Sequence, residues 1–202
     1  MLAHATAGAD STRAEIERAA LRLFVTRGLR GTTVRDIAAG AGVAEGTLYR
    51  HWRSKRELAR DVFRGCAESV AAALRDASAA ERTATRKLTA ALRALFRCAR
   101  DEVLLYELLV LPPHTDTRDF LQDAPSPSAV LADLVRQGQR CGEFGVRIDP
   151  TLAAECIVGA VNRIAIYRSL GVLPRRLVDY EKELVTVMLD NLKPPRRRRR
   201  PA

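Results

Sequence analysis

Residues 32–55 read TTVRDIAAGAGVAEGTLYRHWRSK, and this stretch decides the fold of the first part of the chain. Thr33 is followed three residues later by Asp36, which is the spacing of a capping box at the start of a helix. Apolar residues then recur at helical spacing, and Gly40 and Gly42 are expected to end the helix after about two turns. A second short helix is predicted directly after them. Two short helices joined by a glycine-containing turn predict a helix-turn-helix.

The second helix of this motif, predicted over 44–51, has an outward face that suits DNA. Leu48 and Trp52 are its expected inward positions, so the other side chains are left facing solvent. Those side chains include guanidinium, hydroxyl and imidazole groups, which can donate to phosphate oxygens and base edges. The alternative is a small helical hairpin with a solvated basic face, and the pattern by itself leaves both interpretations open.

Three runs of sequence extend the motif in both directions: ALRLFVTRG at 20–28, TTVRDIAAGAGVAEGTLYRHW at 32–52 and SKRELARDVF at 54–63. In this order they resemble the DNA-binding domain of the tetracycline-repressor (TetR-type) family of bacterial transcription factors. The resemblance covers about a quarter of the chain. It implies an all-α protein in which an N-terminal three-helix DNA-binding domain is joined by a long helix to a C-terminal helical domain for ligand binding and dimerisation.

The family resemblance also implies how the DNA contacts are divided. The positions that match base-reading positions of the family pattern are Arg35, Glu45, Thr47 and Arg50, with Gly46 allowing the backbone to come close. The positions that match phosphate contacts are Thr33, Tyr49, His51 and Lys55.

The net charge of +10 is distributed unevenly along the chain. Residues 1–60 carry a net charge of +5, residues 61–192 carry −1, and residues 193–202 carry +6 because of Lys193 and a run of five arginines. A nearly neutral body with basic ends is typical of a nucleic-acid-binding domain attached to a domain that binds a ligand or a partner.

The 202 residues permit one large domain or two modest ones, and abundant Ala, Leu and Arg with few aromatics favour helices. The predicted division is a disordered start over 1–10, a DNA-binding domain over 11–57 with its motif at 33–52, a helical ligand-binding and dimerisation domain over 58–192, and a disordered basic tail over 193–202. Helices outside the motif are predicted over about 12–27, 55–77, 83–100, 103–111, 128–140, 150–170 and 175–192, with Thr12 as a cap and Pro112 to Pro127 as a loop.

The last two predicted helices carry apolar residues on more than one face. One face can pack on the domain itself and another on the same helices of a second subunit, although a monomer with a deep core is the alternative. The family resemblance favours the homodimer, since its members pair through their last two long helices. The residues expected at this interface are Val158, Gly159, Val161, Val185 and Met188. A two-fold axis would set the two motifs roughly 34–36 Å apart, as successive major grooves require.

The family resemblance implies that a small molecule binds inside the second domain and reduces the affinity for DNA. The helices that would line such a site offer mostly Leu, Val, Ala and Ile, which suits an apolar effector. Candidate polar contacts to it are Arg97, Arg100, Tyr106, His114, Asn162, Arg163 and Tyr167.

Several classes of protein are disfavoured by the sequence. The four cysteines are widely spaced, which indicates reduced thiols in a cytoplasmic protein and neither a metal site nor a disulfide framework. None of the three histidines stands in a recognisable relation to a nucleophile and an acid, so no catalytic residues and no cofactor are expected. No segment is apolar enough for a membrane span.

The sequence therefore predicts a DNA-binding transcriptional regulator, in the first place a repressor released from its operator by an apolar effector. The alternative is a dimeric ligand-binding or scaffold protein with only weak, non-specific binding to nucleic acid.

Overall fold

The computed structural model describes residues 9–101 and 126–194, together with the single residues Leu108 and Phe120. All regular secondary structure in these residues is α-helical, which confirms the predicted all-α fold. The helices are α1 Ala9–Arg27, α2 Val34–Ala41, α3 Glu45–His51, α4 Lys55–Ala79, α5 Ala84–Asp101, α6 Pro127–Arg140, α7 Pro150–Ser169 and α8 Leu177–Leu192. The predicted helix over 103–111 and most of the predicted loop over 112–127 lie outside the described residues.

Two predicted helix boundaries are wrong. Helix α1 begins at Ala9, so Thr12 lies inside the helix and does not cap it. Helix α2 continues through Gly40, and only Gly42 ends it, with a φ of 69° and an amide that bonds to the carbonyls of Ala38 and Ala39. A side chain at Gly40 would contact α1, because an added Cβ would lie 3.5 Å from the Cβ of Ala19.

Two compact units divide the described residues. The first contains residues up to Ala67 together with Leu108 and Phe120, and the second contains residues 68–101 and 126–194. Helix α4 contributes residues to both units.

The first unit has a continuous apolar core. Helix α1 packs against α2, and α2 packs against α3. The predicted inward positions Leu48 and Trp52 are at most 1% exposed, which confirms them. The core residues of this unit are Ile16, Ala19, Ala20, Phe24, Ile37, Leu48, Trp52, Leu58, Ala59, Val62, Cys66 and Phe120.

In the second unit, helix α5 packs against α6, α7 and α8, and α7 also packs against α6 and α8. The inward face of α5 is apolar, and Leu88, Leu92, Leu95 and Phe96 on it are at most 1% exposed. Helix α6 begins at Pro127, with the hydroxyl of Ser126 accepting from the amide of Ala129, and α7 begins at Pro150 with Asp149 as its cap.

The start of α5 is capped by a carboxylate that is far away in sequence. The amides of Ala84 and Thr85 donate to the two carboxylate oxygens of Glu143 at 2.9 Å each, and the Thr85 hydroxyl donates at 2.8 Å. These donors favour the ionised carboxylate, above all the amide of Thr85, and lower the pKa of Glu143 from 4.5 to about 2. Glu143 thus joins the turn after α6 to the first residues of α5.

This cap predicts a pH-dependent stability. Because folding lowers the pKa of Glu143, its contribution is complete above about pH 4.5 and is lost as the pH falls toward 2. We expect Glu143→Gln to lower the melting temperature at neutral pH, and the difference from wild type to shrink as the pH falls through this window. Thermal unfolding of both proteins over a pH series measures this, with the exposed Glu155→Gln as the matched control. A difference that stays constant across the series would contradict the assignment.

Candidate nucleic-acid interface

The predicted capping box at the start of α2 is present. The amide of Thr33 donates to Oδ2 of Asp36 at 2.9 Å, and the amide of Asp36 donates to Oγ1 of Thr33 at 3.1 Å. The Thr33 hydroxyl also donates to the Asp36 carboxylate, and this hydrogen bond is the main reason that the pKa of Asp36 lies below its ordinary value. The capping box fixes the point at which α2 leaves the preceding loop.

The turn between α2 and α3 is set by backbone hydrogen bonds. Besides the left-handed Gly42, the amide of Val43 donates to the carbonyl of Ala38 at 3.0 Å. Helix α3 then starts after Ala44, which offers no side-chain cap. Leu48 lies on its inner side and Trp52 ends it, with the Trp52 amide donating to the Leu48 carbonyl at 3.0 Å. The rotation of α3 about its axis is fixed in this way.

Trp52 is held by a polar network that the sequence analysis missed. Its indole Nε1 donates to Oδ2 of Asp61 on α4 at 3.0 Å, and the guanidinium of Arg13 on α1 donates to the same oxygen at 3.1 Å. The Arg13 guanidinium carbon also lies 5.0 Å from the centre of the indole ring. One carboxylate therefore ties the end of α3 to both α1 and α4. No local pattern signals this network, because its members are 9 and 48 residues apart.

With Leu48 and Trp52 buried, most of the predicted DNA contacts lie on the outer surface. Tyr49 is 53% exposed, while Thr47 and His51 are half-buried. The His51 ring also contacts Trp52, with ring centres 5.5 Å apart. The remaining predicted contacts on the two motif helices and at the cap of α2 are exposed, namely Thr33, Arg35, Glu45, Gly46 and Arg50.

Lys55 differs from the other predicted contacts. Its ammonium group is half-buried and donates to the carbonyls of Leu29 and Thr32 at 2.7 and 2.6 Å. The predicted phosphate contact of Lys55 stays a prediction, but in this structure two of its donors point to the loop between α1 and α2.

Comparison with known proteins matches this part of the chain to one family. The model of the bacterial regulatory proteins of the tetR family matches residues 16–62. The HTH-type transcriptional repressor KstR2 of Mycobacterium tuberculosis is 46% identical over 67 residues, which are 33% of this chain and 34% of that protein. The transcriptional regulator TtgR of Pseudomonas putida is 50% identical over 50 residues, 25% of this chain and 24% of that protein.

Residues 16–62 are therefore similar to the bacterial regulatory proteins of the tetR family. The chain spans about a quarter to a third of the length of the curated relatives it matches. Solved structures extend the likeness of fold to most of the chain. The transcriptional regulator FadR of Bacillus subtilis, in complex with stearoyl-CoA, has a TM-score of 0.77 at 20% identity, covering 89% of this chain and 98% of that one. The structure of KstR2 of M. tuberculosis has a TM-score of 0.68 at 23% identity, covering 96% and 99%.

Five of the seven residues predicted to bind an effector lie on α5 and α7 of the second unit. Arg97 and Arg100 are exposed on α5, and Arg100 pairs with Asp101 at 2.6 Å. On α7, Asn162 is half-buried, and the exposed guanidinium of Arg163 lies 3.7 Å from the ring centre of the half-buried Tyr167. Tyr106 and His114 lie outside the described residues.

A cleft of about 200 Å³ is present in the second unit, between the start of α5, residues 143–144 and the end of α8. Of the predicted effector-binding residues that the structure describes, none lines this cleft.

The residues predicted at the dimer interface fall into two groups. Val161 is 0% exposed and Val185 is 8% exposed, so both belong to the core of the second unit. Gly159 is exposed, and a Cβ added to it would meet no atom within 4 Å, while Val158 and Met188 are half-buried. Sequence periodicity did not separate these groups, because α7 is apolar on several sides.

Neither a membrane span nor a metal cluster occurs in the described ranges of the chain. Within them, no helix is long and apolar enough to cross a bilayer. Nor do the side chains of these ranges form a cluster of three or more His, Cys, Asp or Glu that could hold a metal ion.

Proposed function

We propose that this chain is a transcriptional repressor that binds a double-stranded DNA operator through α2 and α3 and is released by a small apolar effector. The observation that carries the proposal is the fixed orientation of α3. Leu48 and Trp52 are buried, so Glu45, Gly46 and Arg50 face solvent on a helix of the size that enters a major groove. We assign the DNA-binding function to residues 11–57 and effector binding and dimerisation to residues 58–192.

Arg50 provides the experiment that tests the proposed function. If its guanidinium reads a base pair, Arg50→Ala should reduce the affinity for the operator by about 1–3 kcal/mol and relax the preference at that base pair. Binding titrations with an operator duplex, its single-base variants and a scrambled duplex measure this. The exposed Arg147→Ala in the second unit is the matched control and should leave all affinities unchanged. Equal losses on operator and scrambled DNA would remove Arg50 from the base-reading residues.

We further propose that the second copy of a homodimer covers an exposed stripe on α7 and α8. Leu152 and Ile166 on α7 are 58% and 37% exposed, and Gly159 lies between them at helical spacing. On α8, Val187 is 50% exposed. Exposed apolar residues along two helices, with a glycine that lets another helix approach closely, support a helix-to-helix interface. This stripe replaces Val161 and Val185 as the proposed contact surface.

The stripe predicts which substitutions separate the subunits. Ile166→Glu combined with Val187→Glu should produce a monomer that keeps its helical content and loses operator binding, because one motif alone cannot span two half-sites. Sedimentation at micromolar concentration and circular dichroism test this. Val146 is 80% exposed outside these helices, so Val146→Glu should remain dimeric. A wild-type protein that is monomeric at this concentration would contradict the dimer and the half-site spacing together.

The effector is proposed to be largely apolar. Support comes from the Leu, Val, Ala and Ile content of the helices in the second unit, and from the structurally similar FadR, whose bound stearoyl-CoA carries a long apolar acyl chain. Binding energies are reciprocal, so an effector that weakens DNA binding must itself bind more weakly to the DNA complex by the same factor. Thermal-shift screening of apolar metabolites, followed by calorimetry with and without operator, identifies such a molecule. The proposal includes no catalytic step and places the protein in the cytoplasm with its DNA.

A further inference from the structure

The side chain of Lys55 connects the start of α4 to the loop between α1 and α2. Its ammonium donates to the carbonyl oxygens of Leu29 and Thr32 at 2.7 and 2.6 Å. An ammonium has three donors, so two of them are used inside the protein. Hydrogen bonds from a charged donor are stronger than neutral ones, and the half-buried position of Lys55 reduces the competition from water.

The loop that Lys55 holds, residues 28–32, has little conformational freedom. Gly28 has a φ of 72° and ends α1, and its amide donates to the Phe24 carbonyl at 3.0 Å. At Gly31 a Cβ would lie 2.3 Å from the carbonyl oxygen of Arg27, so a side chain does not fit. Thr32 is fully buried, and its hydroxyl lies within hydrogen-bonding distance of the carbonyls of Gly28, at 2.8 Å, and Leu23.

This loop leads directly into the DNA-binding motif. Thr32 precedes Thr33, which caps α2 and is itself a predicted phosphate contact. A displacement of the Thr32 carbonyl therefore moves the first turn of α2, and α3 follows because α2 packs against it. Lys55 is the charged group that fixes this carbonyl.

We propose that Lys55 is a positioning residue, which affects DNA binding by holding the loop 28–32 and the start of α2 and not by contacting a phosphate. The inference rests on the proposed DNA-binding function. It differs from the role that the family pattern implies for this position. The two roles predict different results, since a phosphate contact releases counterions and a loop contact does not.

The experiment compares wild type with Lys55→Met, which keeps an unbranched side chain and removes the donors. Without DNA, Lys55→Met is expected to lower the melting temperature by about 4–8 °C, because two charge-assisted hydrogen bonds are lost. Well below that temperature, both proteins are folded. There, the ratio of operator affinity to scrambled-DNA affinity should be about tenfold lower for Lys55→Met than for wild type, with duplexes of the same length. The slope of log affinity against log salt concentration should stay at its wild-type value. The DNA probe is a duplex from the region upstream of the coding sequence.

Two further variants keep the test specific. Arg50→Met removes an exposed cation of the same motif and should weaken operator binding without changing the melting temperature. Thr32→Val loosens the same loop. The double variant should therefore lower the melting temperature by less than the sum of the two single variants.

An unchanged melting temperature for Lys55→Met, or a salt slope reduced by about one unit, would overturn the proposal and return Lys55 to the phosphate contacts. If wild type itself does not distinguish operator from scrambled DNA, the proposed function fails, while the melting temperatures still decide whether Lys55 holds the loop.

Discussion

Replacing Trp52 by alanine is expected to lower the free energy of unfolding by about 3–5 kcal/mol, the range for large aromatic side chains removed from a core. Trp52 is 1% exposed and closes the core of the first unit at the end of α3. The substitution also removes the indole donor to Asp61 and the ring beneath the Arg13 guanidinium. We expect operator binding to be lost as well, because Trp52 fixes the rotation of α3.

Urea denaturation monitored by circular dichroism measures the loss of stability. Tryptophan fluorescence cannot be used, because Trp52 is the only tryptophan in the chain. Tyr49→Ala is the matched control: it removes an aromatic ring that is 53% exposed on the same helix and should change stability by less than about 0.5 kcal/mol. Trp52→Phe keeps most of the side-chain volume but removes the indole donor. Its free energy of unfolding should therefore lie between those of Trp52→Ala and Tyr49→Ala. A Trp52→Ala protein as stable as Tyr49→Ala would contradict the core assignment.

The second large effect is expected at Gly138 in α6. A Cβ at this position would lie 2.0 Å from Cδ2 and 2.4 Å from Cε2 of the Phe144 ring, which is itself only 4% exposed. The ring has little room to move, so Gly138→Ala should destabilise the protein by about 1–3 kcal/mol, the usual range for overpacking a core. The same change is expected to disturb Glu143 and its cap on α5.

Gly65 supplies the matched control for Gly138. It is an exposed glycine inside α4, and a Cβ there meets no atom within 4 Å. Gly65→Ala should therefore stabilise the protein by about 0.5–1 kcal/mol, because alanine restricts the unfolded chain and favours the helix. Urea denaturation of both variants gives the comparison. If both substitutions shift stability in the same direction, the close approach of Phe144 to α6 is contradicted.

The helix-turn-helix part of the fold could largely be predicted from the sequence, because local signals determine it. The Thr33–Asp36 capping box, the left-handed Gly42 and the buried Leu48 and Trp52 all follow from spacing within one short stretch. Each is a contact between residues close in sequence, so pattern and structure agree. Gly40 is the exception, since helix propensity disfavours glycine, yet α2 continues through this position.

The contacts that orient this motif could not be predicted, because they join distant residues. Asp61 accepts from both Trp52 and Arg13, and Lys55 reaches back to the carbonyls of Leu29 and Thr32. A charged residue near a DNA-binding helix looks the same in sequence whether it faces a phosphate or a carbonyl. The structure adds the two hydrogen bonds from the Lys55 ammonium to these carbonyls, which no local pattern signals.

The proposed dimer surface shows a second limit of sequence analysis. Val161 and Gly159 are two residues apart on α7, yet one is fully buried in its own subunit and the other is exposed. In a helix that is apolar on several sides, the apolar residues do not recur with a single helical period. The sequence therefore does not show which side faces the core. The exposed fractions of Leu152, Ile166 and Val187 supply that information.

Sequence-specific DNA binding is tested by a titration of the wild-type protein over a salt series. One duplex comes from the region upstream of the coding sequence, and the other is a scrambled duplex of the same composition. We predict that both affinities fall as salt rises, and that the upstream duplex is bound at least about 1,000-fold more tightly than the scrambled one at physiological salt. Equal affinity for the two duplexes at every salt concentration would contradict the claim.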